Sequence, residues 1–67
     1  MTLIKDINGL SKTYEGPNGV AILTRNFGNR DKVAKWSLSV TANGEYKDLG
    51  RRIEFQKAYA MAEAIIG

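Results

Sequence analysis

Basic residues are concentrated in the middle of the chain, where they could bind phosphates or other anions. Residues 25–52 hold seven lysines and arginines against three acidic residues, a net charge of +4, whereas the rest of the chain carries −1. The 67-residue chain as a whole carries +3 and has a pI of about 9.5. This asymmetry favours a polyanionic partner. The seven residues are Arg25, Arg30, Lys32, Lys35, Lys47, Arg51 and Arg52.

Several kinds of catalytic chemistry are excluded by composition, although a pair of carboxylates is not excluded by spacing alone. The chain has no histidine and no cysteine, so zinc sites, histidine-assisted nucleophiles and disulfides cannot form. The acidic residues are scattered without the spacing of a calcium loop. We therefore expect no enzyme activity, no cofactor and no metal. No long apolar run is present, so we expect no membrane span and no signal peptide, and a cytoplasmic location.

The clearest structural element is a hairpin, "KWSLSVTANGEYKDLGRR". Alternation along residues 35–41 predicts a strand with Trp36, Leu38 and Val40 buried. An Asn43-Gly44 turn would fix the pairing. Leu38 would then face Leu49, and Trp36 would face Arg51. On this register Lys47 and Arg51 lean toward the buried face, while Lys35, Tyr46, Asp48 and Arg52 lie on the open face.

The remaining elements predict one small α+β domain over residues 1–67. "GVAILTRNF" is typical of an earlier strand, with a possible free edge, and the loop "GNRDK" would present Arg30 and Lys32. A helix is indicated over residues 54–66 by one apolar stripe, namely Phe55, Ala58, Tyr59, Ala62, Ile65 and Ile66. The prediction is a three-stranded antiparallel sheet with this helix packed on one face. Residues 2–10 could add a fourth, edge strand or a short helix.

Residues 33–66 resemble the hairpin-and-helix half of three-stranded-sheet DNA-binding domains, such as the plant ethylene-response type and the arm-binding domain of phage integrases. The shared features are Trp36, the Asn43-Gly44 turn, Leu49-Gly50, Phe55 and the alanines of the helix. The resemblance implies a sheet that enters the DNA major groove. It makes Arg25, Lys35, Tyr46, Lys47 and Arg52 candidate contacts. If residues 2–10 were helical, the αβββα order would instead resemble double-stranded-RNA-binding domains.

Two functions remain open at this point. The first is a small nucleic-acid-binding protein, with DNA favoured over RNA, that uses the sheet face opposite the helix. Its candidate contacts are Arg25, Arg30, Lys32, Lys35, Tyr46, Lys47 and Arg52. The alternative is a small phage-type regulator that binds a host or viral protein, or a second copy of itself, through a free sheet edge.

Overall fold

The computed structural model describes residues 1–28 and 32–67, which form a five-stranded antiparallel sheet with one helix packed on one of its faces. The strands are β1 (Thr2–Ile7), β2 (Ser11–Gly16), β3 (Gly19–Asn26), β4 (Lys35–Ala42) and β5 (Glu45–Glu54), and the helix is α1 (Phe55–Ile66). Each strand pairs with the next along the chain. The predicted α+β class, antiparallel sheet and C-terminal helix are confirmed, but the predicted count of three strands is wrong because there are five.

The N-terminal segment supplies the two additional strands. Residues 2–7 form edge strand β1, so the helical alternative for residues 2–10, and with it the αβββα order, is wrong. Leu3, Ile7 and Leu10 have helical spacing, yet all three are exposed and form no buried helix face. The sequence pattern does not predict strand β2, because "SKTYEG" offers only one buried apolar side chain, that of Tyr14. The two additional strands make β3 a central strand, so the free edge predicted at "GVAILTRNF" lies instead on β1.

Two Asn-Gly pairs shape the hairpin turns. Asn8 and Gly9 have φ of 51° and 72°, and Asn43 and Gly44 have φ of 54° and 76°. Positive φ at both central residues defines the type I′ turn, whose twist matches that of the paired strands. The third pair behaves differently, because the β2–β3 turn is made by Pro17 and Asn18 and Gly19 already pairs with Gly16.

The core lies between the sheet and α1. Alternate residues of the three central strands point toward the helix, and three helix residues close the layer from above. The buried residues are Tyr14, Ala21, Leu23, Trp36, Leu38, Val40, Ala58, Ala62 and Ile66. The predicted stripe is therefore correct in outline, although Ile65 lies at its margin and is 38% exposed. Aromatic rings extend the core. The ring centres of Trp36 and Phe55 lie 5.2 Å apart and those of Tyr14 and Tyr59 lie 5.3 Å apart, each pair in an edge-to-face arrangement. Burial raises the pKa of Tyr14 above its ordinary value, while nearby Lys12 opposes the rise.

The C-terminus of α1 is fixed to the β2–β3 turn. The backbone N–H of Asn18 donates to the carbonyl of Ile66 at 3.1 Å. A side chain at Gly16 would collide with that same carbonyl, so the close approach requires glycine. The helix thus begins at the far end of β5 and ends over the opposite end of the sheet, which fixes the position of its first turn relative to the strands.

Strand β5 departs from the predicted register. Pairing follows the prediction from Ala42–Glu45 to Ser39–Asp48, but Leu38 then pairs with Gly50 and Trp36 with Ile53. The predicted Leu38–Leu49 and Trp36–Arg51 pairs are therefore wrong. Two irregularities insert extra residues into β5, with φ of 127° at Gly50 and 59° at Arg52. Their consequence is that Arg51 changes face: it borders the side of the sheet opposite the helix.

Candidate nucleic-acid interface

The sheet face opposite α1, here called the outer face, is electrically balanced. Leaving out the bulged residue Arg52, alternation along the strands and the position of Arg51 in the outer-face depression assign it three basic residues, Lys5, Lys35 and Arg51, and three acidic residues, Glu15, Asp48 and Glu54. The ammonium of Lys35 lies 3.4 Å from the carboxylate of Glu54. A balanced face offers no net attraction to a phosphate backbone, so the outer face as a whole does not concentrate the charge that the sequence carries.

The candidate residues of the sequence are dispersed over several surfaces. Lys35 and Tyr46 lie on the outer face as predicted. Arg25 pairs with Trp36 and Lys47 pairs with Val40, so both lie toward the helix side. Lys32 is exposed in the β3–β4 connection. Arg30, also predicted as a contact, lies outside the described residues.

Basic side chains instead gather at one end of the sheet, where β2 and β4 start, β3 and β5 finish and α1 begins. This basic end comprises Lys12, Arg25, Lys32, Lys35, Arg51, Arg52 and Lys57. Among the described residues, two acidic residues accompany them, Asp6 and Glu54, which gives a net side-chain charge of +5. The rest of the described chain carries Lys5 and Lys47 against four acidic residues, a net of −2. Charge is thus separated along the strands rather than between the two faces.

The bulged end of β5 is tied to β3 by one side chain. The Asn26 amide nitrogen donates to the Ser37 hydroxyl at 2.8 Å. The Asn26 amide oxygen accepts the backbone N–H of Arg52 at 3.1 Å. Arg52 is the residue of β5 with φ of 59°, a conformation that costs free energy for a non-glycine residue. Asn26 therefore spans β3, β4 and β5 and holds the segment that carries Arg51 and Arg52 at the basic end.

An exposed aromatic ring lies beside this charge. Phe27 follows β3 and is 74% exposed, and the Arg25 guanidinium lies 5.7 Å from the centre of its ring. At the same end, the Lys12 ammonium lies 5.6 Å from the ring of Phe55. Phe55 is half-buried against the core, so Phe27 is the exposed ring of this pair. Basic groups beside an exposed ring are a combination by which proteins hold phosphates and nucleobases together. The candidates predicted from the sequence do not include Phe27, Lys12 or Lys57. Strand order brings Lys12, and the start of α1 brings Lys57, to the end of the sheet that holds Arg25, whereas Phe27 follows Arg25 by two residues in the chain.

The outer face also contains a depression of about 310 Å³ that runs across the three C-terminal strands. Its floor is formed by β4 and its walls by β3 and β5. The lining residues are Ile22, Thr24, Asn26, Ser37, Leu38, Ser39, Tyr46, Asp48 and Arg51. Arg51 belongs to both the depression and the basic end, so the two features are continuous.

Neither a metal site nor a membrane-spanning helix is found in the described part of the chain. Among residues 1–28 and 32–67, no three acidic side chains come together as a metal site would require. The described residues also contain no helix long and apolar enough to cross a membrane.

No protein-family model, curated protein or solved structure matches this chain. The resemblance to three-stranded-sheet DNA-binding domains therefore stays a prediction drawn from residues 33–66.

Proposed function

We propose that the protein binds nucleic acid through its basic end. The observation that carries this proposal is the separation of charge, +5 at one end of the sheet against −2 over the rest of the described chain. A phosphate backbone attracted to such a surface releases condensed counterions, which supplies most of the affinity of non-specific binding. In this proposal the phosphates of the ligand lie against the C-terminal ends of β3 and β5 and the N-terminal end of β4.

A matched pair of charge reversals tests where the ligand binds. Lys32 and Lys47 are both exposed lysines, the first at the basic end and the second near the opposite end. Lys32→Glu and Lys47→Glu produce the same net charge at different positions. Lys47→Glu also removes the exposed ion pair with Glu45 at 3.9 Å, and a pair of this kind contributes little to stability. Affinity for a labelled 20-nucleotide DNA is measured by fluorescence anisotropy, as single strand and as duplex, at about 50 mM salt.

Lys32→Glu should weaken binding by about 5-fold or more, since one phosphate contact is lost and replaced by repulsion, whereas Lys47→Glu should change it less than about 2-fold. Equal effects of the two substitutions would show that binding follows net charge and not the basic end. Absence of any binding at protein concentrations of about 100 µM would refute the proposal outright.

A second function, self-association through β1, is favoured by a separate observation. All six residues of this edge strand are exposed, including Leu3, Ile4 and Ile7 at 44%, 54% and 47%. An edge strand with unpaired backbone groups and exposed apolar side chains is a template for another strand. In a purified sample only a second copy can supply that strand, and edge-to-edge pairing around a two-fold axis would make a dimer.

Light scattering over about 5–200 µM protein tests this second function. Ile4→Lys should keep the chain monomeric, because it places a charge in the edge, whereas Ile65→Lys, an exposed apolar position on the helix, should not. A chain that is already monomeric throughout this range would eliminate self-association through β1.

A further inference from the structure

The outer-face depression has a chemical character different from that of the basic end. Its polar groups are the hydroxyls of Thr24, Ser37, Ser39 and Tyr46, the amide of Asn26, the carboxylate of Asp48 and the guanidinium of Arg51. These supply both donors and acceptors, as the edges of nucleobases do. One basic residue against one acidic residue gives the depression no net charge, so it suits bases better than phosphates.

Two apolar surfaces accompany these polar groups. Tyr46 is 67% exposed and lies on the outer face, where it pairs with Thr41. Ile22 is 40% exposed and lies on the opposite wall. An exposed ring beside a polar floor is the usual platform on which an unpaired base stacks.

The depression adjoins the basic end at Arg51 and extends away from it along β4. Thr41, the partner of Tyr46, is four residues along β4 from Ser37, which corresponds to about 13 Å of strand. This length accommodates more than one nucleotide. A backbone held by Arg51 and its basic neighbours would therefore direct the next bases along the depression toward Tyr46.

The groups that line the depression favour unpaired bases over a duplex. Bases in a duplex are stacked and paired inside it, so they cannot lie in a depression unless they are extruded at the cost of a few kcal/mol per base. A sheet reads duplex DNA through base edges in a groove, whereas the exposed Tyr46 ring of this depression offers a stacking surface, which an unpaired base can occupy. Bases of a single strand are free to occupy the recess.

We infer that the nucleic acid bound by the basic end is single-stranded, and that its bases lie in the depression with one stacked on Tyr46. This inference rests on the proposed function and names the class of ligand for the same site. Asp48 is consistent with it, because one carboxylate oxygen accepts the Gly50 N–H at 3.1 Å while a carboxylate can also accept a hydrogen bond from a base amino group.

The test measures three variants against a labelled 12-nucleotide mixed-sequence single strand and the same sequence in duplex form. Tyr46→Ala removes the ring, Tyr46→Phe keeps it, and Lys32→Glu reports on phosphate contact. Tyr46 is exposed, so its substitution leaves the core intact, and a thermal melt of each variant verifies folding. Wild-type protein should bind the single strand at least 10-fold more tightly than the duplex.

Tyr46→Ala should weaken single-strand binding by about 5- to 100-fold and duplex binding less than about 2-fold, while Tyr46→Phe should bind like the wild type. Lys32→Glu should weaken both. Duplex binding equal to single-strand binding, or an unchanged affinity in Tyr46→Ala, would overturn the single-strand inference and leave the proposed function standing if Lys32→Glu still weakens binding. Binding to neither probe would refute the proposed function itself.

Discussion

Replacing Asn26 by alanine should loosen the bulged end of β5 without disturbing the core. The substitution removes the part-buried hydrogen bond to Ser37 and the exposed one to the Arg52 N–H. The first contributes about 1 kcal/mol net, and the second about half as much because water can replace the lost acceptor. The free energy of unfolding should therefore fall by about 1–2 kcal/mol, which lowers the melting temperature of a domain this size by roughly 4–16 °C.

Asn26→Asp is the matched control for this change. The carboxylate keeps an acceptor for the Arg52 N–H, and the Ser37 hydroxyl can rotate to donate to the other oxygen. We expect Asn26→Asp to retain stability within about 0.5 kcal/mol of the wild type. It should nevertheless bind nucleic acid more weakly, because it adds a negative charge beside the basic end.

Unfolding in urea, followed by fluorescence, measures these differences. Trp36 is the only tryptophan, is buried and lies edge-on to Phe55, so its emission reports the loss of the sheet–helix interface. Combining Asn26→Ala with Ser37→Ala isolates the pair, for which we expect a coupling energy of about 0.5–1 kcal/mol. If both Asn26 variants unfold at the wild-type midpoint, Asn26 does not hold the bulge in place.

Two further predictions concern the core. Leu23→Ala, at a fully buried position, should lower the free energy of unfolding by about 3–5 kcal/mol. This is a large share of the roughly 3–10 kcal/mol that a domain of this length has in total. Leu10→Ala, at an exposed position, should lower it by less than about 0.5 kcal/mol in the same urea titration. Burial raises the pKa of Tyr14, so as pH rises the unfolded chain loses the Tyr14 proton before the folded chain does. The stability that the protonated Tyr14 side chain contributes is therefore complete below about pH 10 and declines as pH rises toward the raised pKa. Thermal melts between about pH 9 and 11 should show a shallower decline for Tyr14→Phe, and parallel curves for the two proteins would contradict the assignment.

The hairpin of β4 and β5 shows how many strand pairs can be predicted from an Asn-Gly turn. Asn43-Gly44 predicted the pairing correctly as far as Ser39 and Asp48, because a two-residue turn sets the register of the residues next to it. Beyond that point the extra residues in β5 shift every later pair. Gly50 is a signal of one irregularity, because a glycine inside a strand often marks a bulge, but nothing in "LGRRI" indicates a second one at Arg52. The predicted orientation of Arg51 was therefore wrong, while that of Tyr46 was correct.

The candidate site was harder to predict than the fold. The sequence identifies basic residues, and it correctly indicates that most lie between residues 25 and 52. Whether they share a face or an end depends on strand order, and β2 carries too weak an apolar pattern to be counted as a strand. Without β2, Lys12 has no assigned neighbour. Without the direction of α1, the first turn that carries Lys57 cannot be placed beside Arg25.

Because charge is separated along the strands, the residues proposed to bind nucleic acid differ from those that stabilise the fold. The residues that carry the core, such as Leu23, Leu38 and Val40, lie in the middle of the central strands, whereas the basic end is built from strand termini, a connection and the first turn of α1. A charge reversal at Lys32 therefore removes no buried surface, and surface changes of this kind alter stability by about 0.5 kcal/mol or less. Loss of binding in such a variant can be read as loss of a phosphate contact, since the fold that positions the other basic residues is unchanged.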